Sequence, residues 1–284
     1  MSVAAPLTLV LNPDRATGFA DLIAKIAGRP LPTGVLPWLT PALLFSDSAV
    51  QAQLGLPKPA VDQILVQDYQ GLELLCPLPL GVPVSASVNR SVKNPTTEFD
   101  FSLGHDGVDI ATLKTALRCV PRQDLASLKP MVLPDPKALG DRAFIADLNI
   151  SQRQIDRYVA LSGDHNPIHS DPAEAASLGL PAAVVPGLLL LSAIQPDVTA
   201  VSPGAALSLL KCRFVAPLCA SQAFSIALQS RGPDRLRAYL LGDGARALAI
   251  ADLQLSPWGA SIQRSPEAQQ GQPGEDHHEQ PKRQ

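Results

Sequence analysis

The sequence predicts an α+β fold built from two like halves in one chain, each an antiparallel sheet curled around a long apolar helix. Three observations predict it. Landmarks of the first half recur in order in the second, at offsets of about 135 to 145 residues. Each half carries an Asp-Gly step, Asp106-Gly107 and Asp243-Gly244, between runs of alternating hydrophobicity, which is a hairpin signal. Each half also has an apolar segment opened by proline, Pro41-Ala-Leu-Leu-Phe-Ser46 and Pro186-Gly-Leu-Leu-Leu-Leu-Ser192.

Taken in order, Thr8 to Leu11 is a short strand candidate, and a helical pattern follows from Asp14 to Ala27. Gly28 and the prolines at 30 and 32 break it. The apolar segment from Pro37 runs towards Leu54. Strand-like stretches follow at Val61–Leu75, Val82–Val88, Glu98–Leu103 and Val108–Arg118. This first half spans residues 1–120. Residues 121–142, with prolines at 121, 130, 134 and 136, read as a linker. The second half, 143–258, repeats the order. Ala143–Ile150 is a strand candidate, and Ser151-x-x-Gln154 is a capping-box signal for the helix after it. Strand material recurs at Leu207–Phe214, Phe224–Leu228, Leu236–Leu241 and Ala245–Leu255. Residues 259–284 are rich in Gln, Pro, Glu and Gly without apolar periodicity, as a disordered tail would be.

Apolar residues make up 46% of the chain and aromatics only 4%, so the core must rest on Leu, Val, Ile and Ala. The net charge of −3, with both signs scattered, implies no nucleic-acid surface. The first residues lack the basic segment and apolar core of a secretory signal, so a cytoplasmic location is expected. The longest apolar run, Pro181 to Ile194, is too short to span a bilayer and reads as a buried core helix. Cys76, Cys119, Cys212 and Cys219 show no C-x-x-C pairing; they suit buried thiols or a single disulfide.

The chemistry concentrates in Tyr158-Val-Ala-Leu-Ser-Gly-Asp-His-Asn-Pro-Ile-His169. Gly163 can end the capped helix, and Pro167 blocks helix at Asn166. A second short helix can restart at Ser170 or Asp171, with Pro172 at its first position. Asp164, Asn166 and His169 are thereby crowded into one stiff loop, where a carboxylate and an imidazole suit proton transfer. The same residues also suit a solvated polar loop with Asp and Asn as caps. His165, His169, Asp164 and Asp171 offer metal ligands, but a proline-kinked loop with no distant His or Cys cluster argues against a metal. His277 and His278 fall in the tail, and His105 at a hairpin turn.

Tyr158-x-x-x-Ser162-Gly-Asp-x-Asn-Pro-Ile-His169-x-Asp-Pro resembles the signature of MaoC-like dehydratases, the (R)-specific enoyl-CoA hydratases or hydratase 2. The resemblance implies a double hotdog fold. It implies that Asp164 and His169 bind and activate a catalytic water, with Asn166 in support. It implies that the backbone N–H of Gly187 faces the thioester carbonyl. It also implies an acyl-CoA or acyl-carrier-protein substrate, no cofactor beyond the coenzyme A of that substrate, and a monomeric double hotdog or a homodimer. The chain departs from the family at Pro186, where a His is usual, which touches substrate preference more than chemistry. The first half has Arg29 where the second has Asp164, and is expected to be catalytically dead. His165 reads as a loop or rim residue. Lys211 and Arg213 suit either coenzyme A phosphates or a strand surface. The rival readings are a hydratase of a branched or dicarboxylic acyl-CoA, a hotdog thioesterase, and a non-catalytic acyl-thioester binding subunit.

Overall fold

The computed structural model describes residues 6–127 and 131–257. The expected tail, with His277 and His278, lies outside the described residues. The first half runs β1 (Leu7–Val10), α1 (Pro13–Ala27), a 3₁₀ segment (Thr40–Ser46), α2 (Ser48–Leu54), β2 (Gln63–Leu74), β3 (Pro83–Lys93), β4 (Thr96–His105) and β5 (Val108–Pro121). Two short helices, α3 (Arg122–Ser127) and α4 (Pro136–Leu139), follow. The second half runs β6 (Ala143–Asn149), α5 (Gln152–Ser162), a 3₁₀ turn (Pro167–His169), α6 (Pro172–Ser177), α7 (Gly187–Ser192), α8 (Gln195–Val201), β7 (Ala205–Phe214), β8 (Ala223–Gly232), β9 (Arg235–Gly242) and β10 (Arg246–Pro257).

The ten strands form one antiparallel sheet in the order β1-β3-β4-β5-β2-β7-β10-β9-β8-β6. Read outward from the β2–β7 joint, the order is the same on both sides, so every strand has its counterpart in the other half. This is the double hotdog. The two sheets expected from the sequence are continuous, because Tyr69–Glu73 of β2 pairs with Leu209–Arg213 of β7. Each strand end would otherwise leave an edge of unpaired N–H and C=O groups. One core serves both halves: Phe19 and Ile23 of α1, Ile155 and Tyr158 of α5, and Leu189 and Ile194 belong to a single cluster with Leu72 and Leu210 of the joined strands.

The central helices differ. In the second half α7 and α8 are separated only by Ala193 and Ile194, which keep helical dihedrals (φ −62°, ψ −19° and φ −75°, ψ −24°). Pro196 removes one helical hydrogen bond there. In the first half the axis breaks at Asp47 (φ −60°, ψ 134°), whose carboxylate accepts from Ala49 N and starts α2 afresh. The long apolar helix expected of that half is therefore a 3₁₀ segment plus a seven-residue helix. Pro181 to Val185, expected as the start of a core helix, is not helical: the chain bends at 181 and 182, Val184 bridges Cys219, Val185 N–H donates to Leu218 O, and helix begins only at Gly187. Proline at 181 and 186 explains the late start.

Residues expected as a bare linker also pack. Leu133 and Leu139 cover Ala227, Tyr239 and Leu241 on the outer face of the second half-sheet. All four cysteines are free thiols, and burial raises the pKa of Cys212. Among the described residues no helix is long and apolar enough to cross a membrane.

Arg29, the counterpart of Asp164, turns to the other half: its Nη2 lies 3.1 Å from Asp197 Oδ1 on α8. Beside it, Gln195 accepts from Trp38 N (2.8 Å) and donates to Leu36 O (2.8 Å), so α8 fastens the loop after α1. Asp197 is buried, and desolvation raises its pKa while the half-exposed Arg29 offsets part of that. A raised carboxylate pKa means that the folded state holds its proton more tightly than the unfolded one. The ionised form is then a cost at neutral pH, relieved as pH falls through the folded pKa. Asp197→Asn is expected to raise the melting temperature by on the order of a few degrees at pH 8, with the gain fading on acidification. Thermal melts of both proteins across pH check this; a loss of stability at pH 8 would refute it.

Candidate active site

The loop that carries the motif is fixed from both ends. Ser151 Oγ accepts from Gln154 N (3.4 Å), and Ser151 N donates to Gln154 Oε1 (2.8 Å), so the expected capping box starts α5. Such caps contribute about 1 kcal/mol. Gly163 ends the helix in the left-handed region (φ 70°), donating to Val159 O at 2.8 Å. Asp164 N–H then donates to Ser162 Oγ (3.2 Å), and Asp164 Oδ1 accepts from Asn166 N–H (3.3 Å). Asn166 Oδ1 accepts from Ile168 N–H (3.4 Å), capping the 3₁₀ turn that presents His169. Asp171 caps α6 through Ala173 N–H (2.8 Å).

Two anchors were not evident from the sequence. Gln152 Nε2 donates to His169 O (2.9 Å), tying the start of α5 to the end of the loop. Ile168 inserts into a small cluster with Ile64 and Val120 of the first half and Leu125 of α3, so the half without the motif packs directly under the motif. Both depend on chain segments far apart in sequence, which no local pattern encodes.

The geometry brings Asp164 and His169 together. His169 Nε2 lies 3.5 Å from Asp164 Oδ2. His169 Nδ1 lies 2.8 Å from Val184 O. A carbonyl only accepts, so Nδ1 carries the hydrogen, and in the neutral ring the lone pair sits on Nε2, facing the carboxylate. The ring is largely buried, with 11% of the side chain exposed, against 45% for Asp164. Asn166 supports the pair through the loop backbone.

All three residues line a cavity of about 1070 Å³. It opens where the sheet parts: Gln63–Gln67 of β2 pair with β5, while register with β7 begins only at Tyr69. It runs on beneath the broken central helix of the first half, past Ala42, Phe45 and Leu54, to Phe99 and Phe101. Phe45 and Phe101 stack with ring centroids 4.3 Å apart.

Gly187 lines the same cavity at the first turn of α7, after Pro186 as N-cap. The first hydrogen bond of that helix runs from Leu190 N to Pro186 O, so Gly187 N–H has no partner within the helix. A Cβ at 187 would lie 3.0–3.3 Å from three atoms of the Phe214 ring. Any side chain here would therefore require the Phe214 ring or the helix start to shift by some tenths of an ångström. His165 is exposed and lines the cavity, in keeping with a rim position. Lys211 and Arg213 do not line it. The arginines in its wall are Arg118, held by Asp68 (2.7 and 3.1 Å), and Arg122, held by Glu174 (2.9 Å) and Ser177 (2.8 Å). Among the described residues no three His, Cys, Asp or Glu side chains are grouped as a metal site requires.

Residues 138–239, which contain this loop and Gly187, match the family model described as MaoC like domain. This segment is a MaoC-like domain. A 73-residue stretch is 36% identical to 3-hydroxyacyl-thioester dehydratase X of Mycobacterium tuberculosis, covering 26% of this chain and 23% of that relative. Over the chain as a whole the likeness is one of fold. The crystal structure of HtdX from M. tuberculosis superposes with a TM-score of 0.67 at 19% identity, covering 88% of this chain and 99% of that one. A MaoC-like dehydratase from Phytophthora capsici gives 0.69 at 16% identity, covering 90% and 96%.

Proposed function

We propose that this protein is a hydro-lyase that reversibly adds water across the 2,3 double bond of a trans-2-enoyl thioester, giving the (R)-3-hydroxyacyl thioester. The observation that carries the reading is the Asp164–His169 pair, with Nε2 and Oδ2 3.5 Å apart at the wall of a large, mainly apolar cavity. One water can donate a hydrogen bond to each. Its oxygen lone pair is then left for C3 of the substrate. His169 Nε2 takes the proton as the water attacks, and the imidazolium that forms faces the Asp164 carboxylate. The proton is returned to C2, so the water supplies both the hydroxyl and the hydrogen. Gly187 N–H stabilises the enolate oxygen of the thioester meanwhile. Asn166 holds the turn that sets the distance between the two groups. The chemistry is proton transfer throughout and calls for no redox cofactor.

The substrate class is an acyl thioester of coenzyme A or a carrier protein. The relative named 3-hydroxyacyl-thioester dehydratase X supports that class. The test is a panel of enoyl thioesters, from crotonyl-CoA to long-chain enoyl-CoA and their carrier-protein forms, followed by loss of the conjugated-thioester absorbance and by the chirality of the product. Release of free acid instead of a hydroxyacyl thioester would reject the reading.

The stacked pair at the far wall sets a further expectation. Phe45→Ala removes a half-buried ring from the cavity lining. It is expected to raise kcat/KM for long or branched chains relative to crotonyl-CoA by about tenfold, the low end of what one methylene is worth in an apolar pocket. An unchanged ratio would mean that the acyl chain does not reach Phe45.

A further inference from the structure

We propose that Arg15, on α1 in the half that lacks the motif, is a positioning residue for Asp164; this rests on the hydratase reading above. Asn12 caps α1, accepting from Asp14 N (2.8 Å) and Arg15 N (3.1 Å), which puts Arg15 in the first turn; its guanidinium is held separately. From there the guanidinium reaches across the molecule. Its Nε donates to Leu161 O at 2.6 Å, and its Nη2 donates to Leu43 O at 3.0 Å. Leu161 lies in the last turn of α5, where carbonyls have no intrahelical donor. It stands three residues before Asp164.

A second observation puts α1 against the same point. A Cβ at Gly18, one turn after Arg15, would lie 2.9 Å from Leu161 Cδ2. The two helices therefore meet over the residue whose carbonyl Arg15 holds, at a distance that leaves no room for a larger side chain without displacement. Phe19 of α1 packs on Tyr158 of α5, with ring centroids 5.7 Å apart. Tyr158 is buried and hydrogen-bonded to Ser162, whose hydroxyl accepts the Asp164 N–H.

The consequence concerns relative position. His169 is anchored elsewhere, by Val184 O and Gln152. The 3.5 Å gap to Asp164 depends on the Asn166 turn and on how each end of the loop is held, and Arg15 holds the Asp164 end. If the end of α5 loosens, Asp164 shifts while His169 and most of the acyl cavity stay in place. Turnover should then fall more than binding does. Misplacement of a reacting group by about 1 Å can cost ~10²-fold in rate.

The decisive variant is Arg15→Lys, because an ammonium can reach one of the two carbonyls but cannot span both. Arg15→Gln gives the uncharged limit. Asn12→Ala is the control, since it weakens the cap of α1 by about 1 kcal/mol while leaving the guanidinium. Arg15→Lys is expected to lower kcat about tenfold with KM changed less than about twofold, and Arg15→Gln to lower it further. Asn12→Ala is expected to melt earlier yet keep the wild-type kcat. The inference is overturned by any of three results: Arg15→Lys with the kcat of the control, a rise in KM that matches the fall in kcat, or an Arg15→Lys protein with no folded fraction. Wild-type turnover is measured first. Its absence would remove the hydratase reading, whereas turnover with an unaffected Arg15→Lys would remove only the role given to Arg15.

Discussion

Asp164→Asn is expected to lower the turnover of an enoyl thioester by about 10²–10⁴-fold, the usual reach of a positioned acid–base group. The substitution keeps the shape of the side chain, and Asn Oδ1 still accepts from Asn166 N–H, so the loop should stand. What it removes is the negative charge that would face the imidazolium in the transition state. His169→Ala should cost as much in rate, and something in stability besides. The ring donates from Nδ1 to Val184 O, and leaving that buried acceptor without its partner costs about 1–3 kcal/mol. The two effects separate in the measurements: kcat from initial rates, stability from a melt. The double variant is the sharper test. If both groups act on one water, the second substitution removes little that the first left, and the losses do not multiply. Losses that multiply would mean that Asp164 and His169 work on different atoms, and the shared-water mechanism would fall.

The legibility of this arrangement in the sequence follows a physical line. What depends on local geometry could be read: the capping box at Ser151 and Gln154, the end of α5 at Gly163, the restart at Asp171 and Pro172, and the Asp106-Gly107 turn between β4 and β5. So could the repeat, because each half must supply the same strand and helix order to close its own half of the sheet. What depends on the meeting of distant segments could not. The pairing of β2 with β7 has no signature in either strand. Gly187 was legible as a residue admitting close approach, but the partner that enforces it, Phe214, is known only from packing. Arg15 sits in an ordinary first helical turn, and nothing near it in sequence points to Leu161 or Leu43. Lys211 and Arg213, which the sequence leaves open between coenzyme A phosphates and a strand surface, do not line the cavity, whose wall takes Arg118 and Arg122 instead. The central helix of the first half shows how one residue overrides a pattern. Its apolar spacing is helical, but Asp47 before Ser48 offers a cap, and the chain takes it.

Gly187→Ala carries the other large effect. A methyl group there would enter the Phe214 ring at 3.0–3.3 Å, closer than carbon atoms ordinarily settle, so either the ring or the start of α7 must give by some tenths of an ångström. Both line the cavity, and the moving helix takes with it the N–H proposed to face the enolate oxygen. Complete loss of an oxyanion donor costs ~10²–10³-fold in kcat, so a displaced one is expected to cost about 10- to 10²-fold. The cause can be isolated by relieving the crowding from the other side. Phe214→Leu alone should leave most of the rate, and Phe214→Leu with Gly187→Ala should recover most of what Gly187→Ala lost. Recovery in the double variant assigns the loss to displacement of the helix start. A Gly187→Ala enzyme with full kcat would overturn the expected displacement, showing that the Phe214 ring gives way and the start of α7 keeps its place.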